Sequence, residues 1–126
     1  MTFDKNSCSL AGKVALITGG ARGIGQFYSI ALSKYGADIF VVSASQKGWE
    51  DTTQKVEANG QKVAFLQQDI TNPDAADDIV AAAVAEFGHL DILINNAGVQ
   101  LRNDVLDFKD EDWRSVIDVN LNGLYY

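Results

Sequence analysis

The chain has 126 residues, 47% of them hydrophobic, with 11 glycines and one proline, a profile that fits a single α/β domain and excludes a disordered chain. Ten Lys and Arg against 17 Asp and Glu give a formal charge of -7, which works against nucleic acid or an anionic membrane surface as a general partner. Cys8 is the lone cysteine, so the sequence offers no internal disulfide, no redox pair and no zinc cluster, and it fits a reducing compartment.

From the front, Met1 to Lys13 lacks the long apolar core of a secretory signal or an anchor, and no later apolar run approaches membrane-spanning length, so a cytoplasmic protein is expected. Lys13 to Ile17 is a short apolar run that predicts a strand buried on both faces. A glycine-rich turn over residues 19 to 25 follows. Ile24, Tyr28, Ala31, Leu32 and Tyr35 then recur at helical spacing until Gly36 supplies a stop, which predicts a helix with those residues toward the core. Asp38 to Ala44 reads as a second buried strand. Trp49 to Asn59 reads as a second helix with Trp49, Thr52 and Val56 on one face and Gly60 behind it.

Lys62 to Gln67 gives a third strand. Asn72 followed by Pro73 predicts a helix start, cap then first-turn proline, for a helix that runs to Phe87 with Gly88 as its stop. Leu90 to Asn95 gives a fourth strand. From about Asp110, the residues Trp113, Val116, Ile117, Asn120, Leu121 and Leu124 share one helical face as far as Tyr126, where the chain stops with no cap. Strands alternating with helices predict an α/β fold, a Rossmann-type doubly wound parallel sheet in the order 3-2-1-4 within three α/β/α layers. No linker, repeat or low-complexity tract divides the chain, so residues 1–126 read as one domain.

The strongest chemical signal is Thr18-Gly19-Gly20-Ala21-Arg22-Gly23-Ile24-Gly25, between the first strand and the first helix. There the backbone must turn sharply, approach a pyrophosphate closely and pack a helix on the sheet, and Gly19, Gly23 and Gly25 suit those three tasks because a Cβ obstructs each. The helix that opens at Ile24 then offers free N–H groups and the positive end of its dipole to phosphate oxygens.

Thr-Gly-x-x-x-Gly-x-Gly after the first strand, with Asn95-Asn96-Ala97-Gly98 after the fourth, resembles the short-chain dehydrogenase/reductase family from about Leu10 onward. Asp69-Ile70-Thr71 and Val119-Asn120 extend the resemblance. Sugar-nucleotide epimerase relatives carry a different spacing that needs a glycine at Arg22, and they lack the Asn-Asn-Ala-Gly run.

The resemblance implies an NAD(P)-dependent enzyme that interconverts a secondary alcohol and a ketone. It implies that Asp69, beside Ile70, accepts a hydrogen bond from the adenine amino group, as an ionised carboxylate can. It also implies that Asn95 stabilises the central sheet, that Asn96, Ala97 and Gly98 lie along the nicotinamide ribose, and that Asn120 is the asparagine of the catalytic Asn-Ser-Tyr-Lys set, supporting a helix kink and a proton relay. The serine and the Tyr-x-x-x-Lys pair of that set have no match here, so the resemblance implies that residues 1–126 are an NAD(P)-binding domain incomplete at its C-terminus. Tyr28, Tyr35, Tyr125 and Tyr126 lack a lysine four residues on, so the 126-residue chain alone is expected to be inactive.

Cofactor choice stays open between NAD and NADP. Ser43, Ala44 and Ser45 stand where an acid usually favours NAD, and Arg22 is either the partner of a 2'-phosphate or an exposed loop arginine. The stretch Gly98-Val99-Gln100-Leu101-Arg102, continued to Trp113, resembles the sugar-acid branch of the family, the 2-deoxygluconate, 2-dehydro-3-deoxygluconate and gluconate 5-dehydrogenases. Arg102 is accordingly a candidate for a substrate carboxylate, with a surface arginine as the alternative. A 3-oxoacyl thioester reductase and a non-catalytic nucleotide-binding protein share every motif present. The expected partners are a small-molecule substrate and further copies of the full-length chain, as a homotetramer; no metal, nucleic acid or membrane is expected.

Overall fold

The computed structural model describes residues 8–126. Four strands, β1 (Val14–Thr18), β2 (Asp38–Ser43), β3 (Val63–Gln67) and β4 (Ile92–Ile94), form one parallel sheet in the order β3-β2-β1-β4. The expected order is therefore the observed one. The central strand β1 is buried along its whole length, and its side chains alternate between two cores. Ala15 and Ile17 join Ile39 and Val41 beneath helices α1 (Gly23–Lys34) and α2 (Trp49–Glu57), together with Val56 and Leu32. Leu16 joins Phe40 and Val42 beneath α3 (Ala75–Phe87), against Ala75, Ile79 and Ala83. Three layers follow from that alternation, and fully burying each Leu or Ile of β1 contributes about 1.5–3 kcal/mol.

Helix α1 departs from the expected packing. Its buried residues are Gly25, Ser29 and Ser33, at intervals of one turn, whereas Ile24 is 70% exposed and Tyr28 and Tyr35 are also exposed. Of the large residues expected on the core face, only Leu32 packs against the cluster. Small residues at four-residue spacing let the helix axis approach the sheet more closely than aromatic rings allow, and hydroxyls are tolerated there because they find backbone partners. Ser29 Oγ lies 3.1 Å from both the Gly20 and the Gly25 carbonyl oxygens, and Ser33 Oγ donates to Ile30 O at 2.8 Å.

Helix α2 buries Thr52 and Val56 as expected, and the Trp49 ring packs on Phe65 with centroids 4.9 Å apart. Helix α3 begins at Ala75 rather than at Pro73. The Asn72 side chain accepts the Asp74 N–H at 3.1 Å and the Asn72 carbonyl accepts the Ala75 N–H at 3.0 Å, so Asn72 and Pro73 form a turn that leads into the helix. Strand β4 pairs over Ile92–Ile94 only and lies at the sheet edge, where Leu93 is 58% exposed. The single helix expected from Asp110 onward is instead α4 (Asp110–Ile117), a π-helical turn over Asp118–Asn122 and a short α5 (Gly123–Tyr125), with Trp113 and Leu121 exposed. Among the described residues, no helix is long and apolar enough to cross a membrane.

Candidate functional site

In a parallel sheet every strand ends on the same side, so the loops that follow the strands share one edge. Here those loops enclose a cleft of about 500 Å³. Gly19, Arg22, Gly23, Ile24 and Gly25 line it from the β1–α1 turn, and Ser43 with Ala44 and Ser45 from the end of β2. Asp69 and Ile70 face it from the end of β3, and Asn96, Ala97 and Gly98 from the end of β4. All eleven residues expected to contact a dinucleotide thus meet in one place. Val42, Gln68, Val99 and Val119 also line it; Val99 and Val119 belong to stretches that carry the family resemblance, whereas Val42 and Gln68 carried no signal of their own.

Backbone geometry explains the glycines of the turn. A Cβ on Gly25 collides with the Gly19 carbonyl oxygen and lies 2.5 Å from Asn96 Nδ2, so this residue is where helix α1 presses on the end of the sheet. Gly23 has φ 57°, and a Cβ there meets nothing within 4 Å, so its open side belongs to the cleft. Arg22 precedes the helix in an extended conformation and gives it no side-chain cap, and the first turn contains no acid. The uncapped N–H groups and the dipole make this end of α1 suited to an anion.

Thr18 binds the glycine turn to β4. Its Oγ1 accepts the N–H groups of Asn96 at 3.1 Å and Ala97 at 3.0 Å, and Asn96 Nδ2 returns to the Thr18 and Gly19 carbonyls at 3.0 and 3.3 Å. Asn96 thus ties the end of β1 to the segment that follows β4, while Asn95, expected to stabilise the central sheet, borders a small apolar groove with Leu93 and Tyr126. The role of Thr18 went unread in the sequence because a threonine ending a strand is ordinary.

Asp69 is held by its own loop. One oxygen, Oδ1, accepts both the N–H and the hydroxyl of Thr71 at 2.9 Å, and Oδ2 has no hydrogen-bond partner among the described residues. The carboxylate is thus oriented with one acceptor still available. Arg22 makes no ion pair among the described residues, and no acidic side chain stands at Ser43.

Asn120 does not line the cleft. It acts on a residue that does: Val99 N–H donates to Asn120 Oδ1 at 2.8 Å, and Asn120 Nδ2 donates to Val99 O at 2.9 Å. The π-helical turn at Asp118–Asn122 carries the amide into that position. Arg102 lies outside the cleft lining on an exposed loop, where its Nε and Nη2 both donate to the Gln100 side-chain oxygen at 3.0 Å.

At the opposite edge of the sheet Asp91 joins the starts of β1 and β4. Its carboxylate accepts from Lys13 Nζ at 2.9 Å and from Val14 N–H at 2.9 Å, and these donors hold it below the usual carboxylate range. This pairing is structural and stands away from the cleft.

Residues 13–126 match the family model of short chain dehydrogenases. An uncharacterized oxidoreductase, YgcW, of Escherichia coli K12 is 44% identical over 123 residues, which are 98% of this chain and 47% of that protein. The 2-dehydro-3-deoxy-D-gluconate 5-dehydrogenase of the same strain is 37% identical over 94% of this chain and 46% of its own length. The crystal structure of a short chain dehydrogenase from Mycobacterium paratuberculosis bound to NAD superposes with a TM-score of 0.86 at 32% identity, over 93% of this chain and 48% of that one. The chain spans about half the length of the curated relatives it matches.

Proposed function

The chain belongs to the short-chain dehydrogenase family, and from that premise we propose that the cleft binds a nicotinamide dinucleotide, NAD or NADP, in an oxidoreductase acting on a sugar acid. The observation that carries the proposal is convergence. The glycine turn, Asp69 and Asn96 to Gly98 come from three separate strand ends and line a single cleft. The residues present suit the group: uncapped N–H donors where a pyrophosphate needs them, an open backbone at Gly23, and a free carboxylate oxygen on Asp69.

A nicotinamide ring, when bound, supplies or takes up the hydride that interconverts a secondary alcohol and a ketone. The chain's own residues bind and orient. The first turn of α1 with Gly19 and Gly23 holds the pyrophosphate, and Ile24 and Ile70 border it with apolar surface. Asp69 Oδ2 accepts the adenine amino group. Ser43 leaves room for either ribose, and Arg22 pairs with a 2'-phosphate where one is present. Asn96, Ala97 and Gly98 flank the nicotinamide ribose, and Asn120 positions that segment through Val99. Arg102 is proposed to meet the carboxylate of the substrate, a reading supported by the 2-dehydro-3-deoxy-D-gluconate 5-dehydrogenase among the relatives.

Titrating the full-length protein with NADH and NADPH, then assaying sugar-acid ketones against 3-oxoacyl thioesters, tests the proposal. Binding of both nucleotides with turnover of a sugar acid is expected. Turnover of the thioester alone overturns the substrate assignment, nucleotide binding without any turnover leaves a non-catalytic binder, and failure to bind either nucleotide overturns the site.

A further inference from the structure

Thr52 is a fully buried polar residue on α2, outside the cleft lining, and its hydroxyl is committed to the glycine turn. Its Oγ1 lies 2.8 Å from the Ala21 carbonyl oxygen and 3.0 Å from that of Gly48, and it accepts from Gln26 Nε2 at 2.8 Å. Gln26 in turn donates to Asp51 at 2.8 Å and gives its N–H to the Arg22 carbonyl at 3.2 Å. Gly48 packs against the same segment: φ is 84°, and a Cβ there lies 2.5 Å from Ala21 O and 3.1 Å from Arg22 Cβ. Both peptide groups flanking Arg22 are therefore fixed from outside the cleft, and the planar Ala21–Arg22 peptide holds the Arg22 N–H opposite the carbonyl that Thr52 grips.

We propose that Thr52, with Gly48, is the positioning element that sets where Arg22 stands beside the Ser43–Ser45 loop and so sets the preference between 2'-phosphorylated and 2'-hydroxyl dinucleotides. The inference rests on the nucleotide reading of the cleft and on Arg22 as the phosphate partner. NADH and NADPH differ only at that 2' position, so displacement of Arg22 weakens one and spares the other. A hydroxyl that served only the fold would affect both alike.

The test measures dissociation constants of NADH and NADPH on the full-length protein carrying Thr52→Val, Thr52→Ser and Arg22→Ala. Thr52→Val is expected to raise the NADPH constant about tenfold and the NADH constant less than about threefold, with Thr52→Ser restoring both. Equal changes for the two nucleotides, or none, overturn the inference while Arg22→Ala still weakens NADPH. If Arg22→Ala leaves NADPH binding intact, the phosphate assignment itself fails. Should Thr52→Val not fold, Gln26→Met, which removes the amide on the half-buried side of the network, is expected to shift the ratio in the same direction, and an unchanged ratio overturns the proposal.

Discussion

Asn120 grips Val99 with both polar atoms of its amide, taking the Val99 N–H at 2.8 Å and giving a hydrogen bond to the Val99 carbonyl at 2.9 Å. A side chain thereby imitates a strand partner for one residue, 21 positions earlier in the chain, at the wall of the cleft. Asn120→Ala is expected to leave both Val99 groups to water and to raise the nucleotide dissociation constant severalfold, whereas Asn120→Asp keeps the acceptor for the Val99 N–H and sets an acceptor-only oxygen against the Val99 carbonyl. Hydrogen exchange at the Val99 amide checks the difference: fast in Ala, slower in Asp. Equal exchange in wild type and Ala refutes the clamp.

Gly25→Ala and Gly23→Ala are expected to differ sharply although they lie two residues apart. The first drives a methyl into the Gly19 carbonyl and Asn96 Nδ2, and we expect it to destabilise by more than about 2 kcal/mol, as overpacking does, and to abolish nucleotide binding. The second has space but a φ of 57°, so its stability cost is about 1–2 kcal/mol of left-handed strain. Denaturant midpoints of the two variants give the comparison.

Thr18→Val removes the acceptor that two backbone N–H groups share. With Thr18 only 6% exposed, water cannot readily replace it, so a loss of about 1–3 kcal/mol is expected. Thr18→Ser keeps the oxygen and is expected to recover most of it, as read by urea unfolding.

Acid titration provides a separate check at the far edge of the sheet. The Lys13 ammonium and the Val14 N–H lower the Asp91 carboxyl from its ordinary value of 3.8, so the folded state favours the ionised form. That contribution is present above the ordinary value and is lost as pH falls through the lower folded one. Asp91→Asn is therefore expected to be less stable than wild type at neutral pH and to lose less stability below pH 3.8. Parallel acid limbs for the two proteins contradict the assignment.

Sheet order and the lining of the cleft were legible because their signals are local. Apolar runs, glycine turns and the Asn-Asn-Ala-Gly run each announce themselves within a few residues. What stayed hidden was pairing at a distance. Thr18 reaches Ala97 across 79 positions and Thr52 reaches Ala21 across 31, and neither pairing leaves a periodic trace. Helix α1 was misread for a different reason. Periodicity counts large apolar residues, but this helix buries its smallest ones, so Ile24 and Tyr28 pointed to the wrong face. The turn at Asp118–Asn122 inserts a π-helical step into a sequence whose apolar spacing is that of an uninterrupted helix.

Residues 99–107, between the end of β4 and α4, bury no side chain in the described structure; Val105 is 89% and Leu106 95% exposed. Substitutions here leave the two cores untouched, and surface changes of this kind usually stay within about 0.5 kcal/mol. The segment nonetheless starts at the cleft, one residue past Gly98. Drift in this stretch is thus nearly free of penalty to the two described cores while it alters the border of the cleft beside Gly98. Under the proposed function, the border of the substrate end can therefore change here without disturbing either described core, whereas the glycine turn, clasped by Thr18 and Thr52, admits almost no such change.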